Sequence, residues 1–192
     1  MSAAATIAAL PVAALVLRVL LRSSLGDRLV AHPTGERWHE AATPTFGGVG
    51  IVLGLFAGAG VALAAGVVEA SGELLGILDG CAILFTAGLV DDIRQLSPLA
   101  KLATQLAAAG VAVAAGLRVE LIGNDAVATV VALVWLVGIT NAFNLLDNMD
   151  GLAATLAAVA CGYFAVDAAT VHENDTVLVL ALALGFACLG FL

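Results

Sequence analysis

Seven stretches of apolar residues, each near the length that crosses a bilayer, follow one another along a chain of only 192 residues. They run from Ala3 to Leu21, Phe46 to Val68, Leu74 to Val90, Leu99 to Leu117, Ala126 to Leu146, Leu152 to Val171 and Val177 to Leu192. A helix of about 20 apolar residues spans the hydrocarbon core, so the pattern predicts an all-α, polytopic transmembrane helix bundle with these seven spans. Barrel strands would alternate apolar and polar residues. Here Ala, Leu and Val run together, and a helix satisfies its own backbone in lipid. Charged residues make up 11% of the chain and hydrophobic ones 62%. That is too little polar surface for a water-facing globule, in which about a quarter of residues are charged. A net charge of −8 argues against nucleic acid as a partner, which demands clustered Lys and Arg.

The whole of 1–192 reads as a single integral-membrane domain. Cys81, Cys161 and Cys188 stand singly in apolar runs, without C-x-x-C spacing, and read as small buried hydrophobes. No basic residue precedes the first run, which reads as a retained span and not a cleaved leader. The chain stops at Gly190-Phe191-Leu192, still inside an apolar stretch, as expected of the N-terminal part of a longer protein. Orientation follows from positive charge. Arg18, Arg22, Arg28, Arg37, Arg94 and Lys101, six of the seven basic residues, share one side if the N-terminus lies outside. The segments 22–45, 91–98 and 147–151 are then cytoplasmic.

Three polar segments gather on that face. The first is Gly88-Leu89-Val90-Asp91-Asp92-Ile93-Arg94-Gln95-Leu96-Ser97-Pro98-Leu99-Ala100-Lys101. Two adjacent carboxylates end a spanning helix, where the helix dipole disfavours negative charge, and they make sense beside a cation. Ser97-Pro98 suits the N-cap and first turn of the next helix, with Lys101 one turn inside it. Two acids and a base fit a Mg²⁺–phosphate site. The plain alternative is a solvated loop, with Arg94 and Lys101 as membrane anchors.

The second is Asn141-Ala142-Phe143-Asn144-Leu145-Leu146-Asp147-Asn148-Met149-Asp150-Gly151. At about 100° per residue, Asn144, Asp147 and Asp150 fan over about 120° of a helix. One wall then presents amides that can read a uracil edge and carboxylates that can hold a metal or ribose hydroxyls. Capping and interhelical hydrogen bonding are the alternative, strongest for Asn141 and Asn148, and Gly151 reads as a helix end or bend. The third is His32-Pro33-Thr34 and then Thr43-Pro44-Thr45-Phe46-Gly47-Gly48, a turn into the second span whose backbone amides around Thr45 and Gly47 can meet a ligand. His32 and His39 lack companions at metal-ligand spacing, and His172, on the opposite face, has no visible role.

Taken together, H-P-T…T-P-T-F-G-G, G-L-V-D-D-I-R-Q-L-S-P-L-A-K and N-A-F-N-L-L-D-N-M-D-G-L-A resemble the polyprenyl-phosphate N-acetylhexosamine-1-phosphate transferase family across nearly the whole chain. That family includes phospho-MurNAc-pentapeptide transferase and GlcNAc-1-phosphate transferases of bacterial envelope (cell wall) synthesis. The resemblance implies transfer of a sugar 1-phosphate from a UDP-sugar to a polyprenyl phosphate, with Mg²⁺ or Mn²⁺ and release of UMP, at the cytoplasmic face of the bacterial inner membrane. It implies catalytic roles for Asp91, Asp92 and Asp147, with Asp92, Asp147 and Asp150 at the metal. Substrate binding then falls to Lys101, Asn144, Thr45 and Gly47. A homodimer is compatible with it.

Two departures are expected to matter. The family's later G-D-x-G-S motif does not occur before residue 192, which puts the completeness of a metal site, and activity of this chain alone, in question. The T-P-T-F-G-G form favours the GlcNAc-1-phosphate branch. A CDP-alcohol phosphotransferase is a rival on Asp147, Asp150, Gly151 and Ala154, but Thr155, Phe164, Ala168 and His172 break its motif. A transporter would carry its acids nearer the bilayer midplane, and an inactive truncated paralogue remains the non-enzymatic reading.

Overall fold

A computed structural model describes residues 3–23, 30–31, 43–44, 47–117, 119, 122–146 and 151–192. A 3₁₀ segment, Ala3–Ala8, leads into α1, Ala9–Leu21. Two-residue strands β1, Val30–Ala31, and β2, Thr43–Pro44, pair antiparallel with Val30 opposite Pro44. Then follow α2, Gly47–Ala64; α3, Gly72–Arg94; α4, Pro98–Ala114; α5, Asp125–Leu146; α6, Leu152–Thr170; and α7, Asp175–Phe191.

Each predicted span overlaps one of these helices, with α3 running past the expected 74–90 at both ends, and the chain is a multi-pass helical membrane protein. Among the described residues, five helices are long and apolar enough to cross a membrane, Ala4–Leu21, Gly47–Ala64, Gly72–Arg94, Asp125–Leu146 and Leu152–Thr170, while Pro98–Ala114 and Asp175–Phe191 are shorter. Two details depart from the sequence pattern. The first span is not α-helical throughout: Pro11 lacks an N–H and its ring crowds the carbonyl four residues earlier, and the turn before it winds as 3₁₀. The short β1–β2 ladder has no signature in the apolar pattern.

Small residues make the interior. The largest fully buried side chains are Leu74, Val179, Thr6 and Cys188, whereas Trp135, Val134, Leu99 and Tyr163 are exposed. Large apolar groups outside and alanine or glycine inside suit helices in lipid, where association depends on close packing.

The chain divides into two compact units, 1–68 with 154–192, and 69–153. In the first, α1, α2 and α7 pack on one another through Gly50, Gly54 and Gly58, spaced four apart. A methyl group on Gly54 would lie 2.9 Å from the Ala187 Cβ and 2.9 Å from the Ala9 carbonyl oxygen. On Gly58 it would lie 2.9 Å from the Ala183 Cβ. Cys161, Ala165 and Ala181 form a further buried cluster there, and Cys188 is buried too.

In the second unit α3, α4 and α5 pack in sequence order. Ser71 Oγ accepts the Leu74 N–H at 3.1 Å and starts α3; Asn124 Oδ1 accepts the Val127 N–H at 3.1 Å and starts α5. Gly76 seats α3 against Ala115, and a methyl on Gly80 would lie 3.1 Å from the Ala108 carbonyl oxygen. This end of the α3–α4 pair is closed. The other end is open.

Candidate active site

The open end begins where α3 stops. Gln95 takes a left-handed conformation (φ 49°) and donates its backbone N–H to the Asp91 carbonyl at 2.8 Å. That reversal brings the Leu96 N–H to Asp91 Oδ1 at 2.8 Å. Ser97 Oγ accepts the Ala100 N–H at 3.3 Å, and Pro98 opens α4, as the Ser-Pro pair predicts. Lys101, one turn into α4, then places its Nζ 2.7 Å from Asp91 Oδ2. One carboxylate therefore closes the turn with one oxygen and holds an ammonium with the other. Lys101 and Asp91 keep 41% and 28% of their side-chain surface exposed, so a ligand can reach both.

Below this pair α3 and α4 enclose an open groove of about 540 Å³, lined by Ala82, Ile83, Thr86, Val90, Leu96 and Ala100 among others. Val90 and Ala100 immediately precede Asp91 and Lys101. Thr86 Oγ1 is spent on the Ala82 carbonyl at 2.7 Å and Thr104 Oγ1 on the Lys101 carbonyl at 2.8 Å, leaving an apolar wall with a charged pair at its end.

Of the residues singled out from sequence, the structure brings Asp91 and Lys101 together. Asp92 is exposed on the last turn of α3, and Asn144 is exposed on the last turn of α5. Gly47 opens α2 in the other unit, where a methyl group would meet the Phe191 ring at 2.5 Å, so its lack of a side chain already serves packing. Thr45, Asp147 and Asp150 lie outside the described residues, as do His32, His39 and Asn148. Among the described residues no three His, Cys, Asp or Glu side chains cluster as a metal site. The donor chemistry still suits a hard cation. Asp91 has both oxygens engaged.

Asn141 takes the interhelical role open to it: its Nδ2 donates to Gln105 Oε1 at 2.8 Å, and its Oδ1 accepts from Gln105 Nε2 at 3.3 Å. Gln105, a polar residue inside an apolar stretch, was the signal for this pair, and it was missed. Asp79, exposed within α3, is another acid in a span that the motifs do not cover. His172 has a partner after all: its Nδ1 lies 3.0 Å from Asp167 Oδ1 beyond the end of α6. Gly151 takes a positive φ of 71° in a turn immediately before α6, as its sequence position suggests.

Residues 74–192 match the family model for glycosyl transferase family 4, a segment that contains both the Asp91–Lys101 pair and Asn144. The chain belongs to glycosyl transferase family 4. The resemblance carried by the three motifs is thereby borne out. Within this family it is similar to a probable undecaprenyl-phosphate N-acetylglucosaminyl 1-phosphate transferase of Bacillus subtilis, 32% identical over 91% of this chain and 50% of the relative. It is 35% identical to a decaprenyl-phosphate N-acetylglucosaminephosphotransferase of Mycobacterium leprae over 88% of this chain and 48% of the relative. A phospho-N-acetylmuramoyl-pentapeptide-transferase of Lacticaseibacillus paracasei is 32% identical over 85% of this chain and 57% of its own length. The chain thus spans about half the length of the curated relatives it matches. No solved structure matches it.

Proposed function

We propose that this glycosyl transferase family 4 protein transfers N-acetylglucosamine 1-phosphate from UDP-GlcNAc to a polyprenyl phosphate and releases UMP. The observation that carries the reading is the apolar α3–α4 groove whose lining runs directly into the half-exposed Asp91–Lys101 pair. An amphiphile with a hydrocarbon tail and a phosphate head matches that sequence of surfaces, and the names of the relatives supply the lipid and the sugar.

An oxygen of the lipid phosphate attacks the sugar-bearing phosphorus of the UDP-sugar. A P–O bond forms there as the bond from that phosphorus to the UMP oxygen breaks, and UMP leaves with the electron pair. Such in-line transfer depends on positioning and charge neutralisation more than on covalent chemistry. Lys101 offers its ammonium to the lipid phosphate, and Asp91 holds that ammonium in place. Asn144 contributes an amide to the nucleotide. Mg²⁺, or Mn²⁺ in its place, would be held by Asp92, Asp147 and Asp150 and would neutralise the diphosphate. The site faces the cytoplasm of the bacterial inner membrane, with the N-terminus outside, and the chain acts as one integral-membrane domain.

The test is a membrane preparation of the protein given UDP-GlcNAc labelled on the sugar-bearing phosphate, polyprenyl phosphate and Mg²⁺. Label in the lipid fraction with one UMP released per transfer is expected. Release of UDP, or no turnover with any UDP-N-acetylhexosamine, contradicts the reading.

A further inference from the structure

The half of α5 that leads to Asn144 is poorly seated. The buried residues of α5 are Ala128 and Ala132, both in its first half, and residues 133–146 bury no side chain. Glycine packing does not compensate, because a methyl group on Gly110 of α4 or on Gly138 of α5 would meet nothing within 4 Å. A specific polar link is present instead. Asn141 Nδ2 gives one hydrogen to Gln105 Oε1 at 2.8 Å and the other to the Val137 carbonyl at 2.9 Å. Gln105 Nε2 returns a hydrogen to Asn141 Oδ1 at 3.3 Å. Both donors of the asparagine are thus used, and its side chain is fixed to its own helix and to the neighbouring one.

The placement of this link matters. Gln105 is one turn of α4 beyond Lys101, and Asn141 is one turn of α5 before Asn144. Sliding or rotating either helix by a fraction of a turn would break both reciprocal hydrogen bonds.

We infer that the Gln105–Asn141 amide pair is a positioning device that fixes the register of α5 against α4, and so sets where Asn144 stands relative to Lys101. Neither residue touches substrate in this account; the consequence for transfer rests on the function proposed above.

Two readouts separate the pair from that function. Spin labels at Leu99→Cys and Leu145→Cys, on side chains 78% and 73% exposed, report the α4–α5 distance in a background whose native cysteines are replaced by alanine. The parent and the swapped variant Gln105→Asn/Asn141→Gln are expected to give one narrow distribution. Asn141→Leu and Gln105→Leu are expected to give a broadened or displaced one. Transfer, read as kcat/KM at equal amounts of folded protein, is expected to fall on the order of tenfold in each leucine variant, in line with interhelical hydrogen bonds in membranes. The double leucine variant should be no worse than either single one, and the swap should recover most of the loss. Unchanged distances in the leucine variants overturn the inference, and so does a swap as poor as the single variants or a displaced helix with unchanged transfer. If the parent releases no UMP, the functional reading falls, and the distance distributions alone decide the amide pair.

Discussion

The two units hold their helices together in different ways. In α1, α2 and α7 the closest contacts are backbone to methyl at Gly54 and Gly58, and Gly50 leaves room for the Leu17 side chain. In α3, α4 and α5 that kind of contact is confined to one end, at Gly76 and Gly80. Toward Asp91 the same helices part around a groove and are joined by polar groups, the Asp91–Lys101 ion pair and the Gln105–Asn141 amides. Close packing gives rigidity but leaves no room, whereas polar links across an opening leave room and expose charge. A lipid bilayer makes this division pronounced, because apolar side chains gain little there by leaving lipid for one another.

The largest expected effect breaks the packed unit. Gly54→Leu must fit a side chain against the Ala9 carbonyl and the Ala187 methyl, and overpacking costs about 1–3 kcal/mol or more where backbone cannot give way. The folded fraction recovered from membranes should collapse. Full recovery would show that the glycine column is not what brings α1 and α7 onto α2.

A charge change at the open end should act on turnover and spare folding. Removing one preorganised cation from a phosphoryl-transfer site costs about 10²–10³ in rate by analogy with lost oxyanion donors. Lys101→Met should therefore lose UMP release by that order, because the ion pair it breaks is partly exposed and such pairs stabilise by about 0–1 kcal/mol. Asp91→Asn should fall less far. Its Oδ1 can still accept the Leu96 N–H, but Lys101 loses its tether, and a rate between wild type and Lys101→Met is expected in the same assay.

The smallest effect refines the contrast. A methyl on Gly60, inside α2, would meet nothing within 4 Å, and Gly→Ala in a helix interior gains about 0.5–1 kcal/mol. Gly60→Ala should raise the unfolding midpoint slightly in detergent. A fall would mean that α2 has a further neighbour at that face.

Much of this was legible in the chain itself. Apolar run length decides the helices, because lipid allows little else, and Ser97-Pro98 marks the start of α4 through the geometry of a cap. Asp91 and Lys101 stood out because charge is rare here, although only the left-handed Gln95 explains how residues ten apart come to pair. Other features were hidden for physical reasons. The 3₁₀ start of α1 depends on a single proline inside an otherwise uniform run. Gln105 stands out as an amide in an apolar run, but nothing near it in sequence names Asn141, on another helix, as its partner. The packing role of Gly47 depends on Phe191, far away in the chain.

The division between a packed scaffold and an open, charged site is tested most directly on Lys101→Met. UMP release from UDP-GlcNAc and polyprenyl phosphate is measured beside the thermal unfolding midpoint of the same preparation. The account predicts a loss of about a hundredfold or more in rate with a midpoint near that of the parent. Wild-type turnover, or a rate lost only in step with folding, would contradict it.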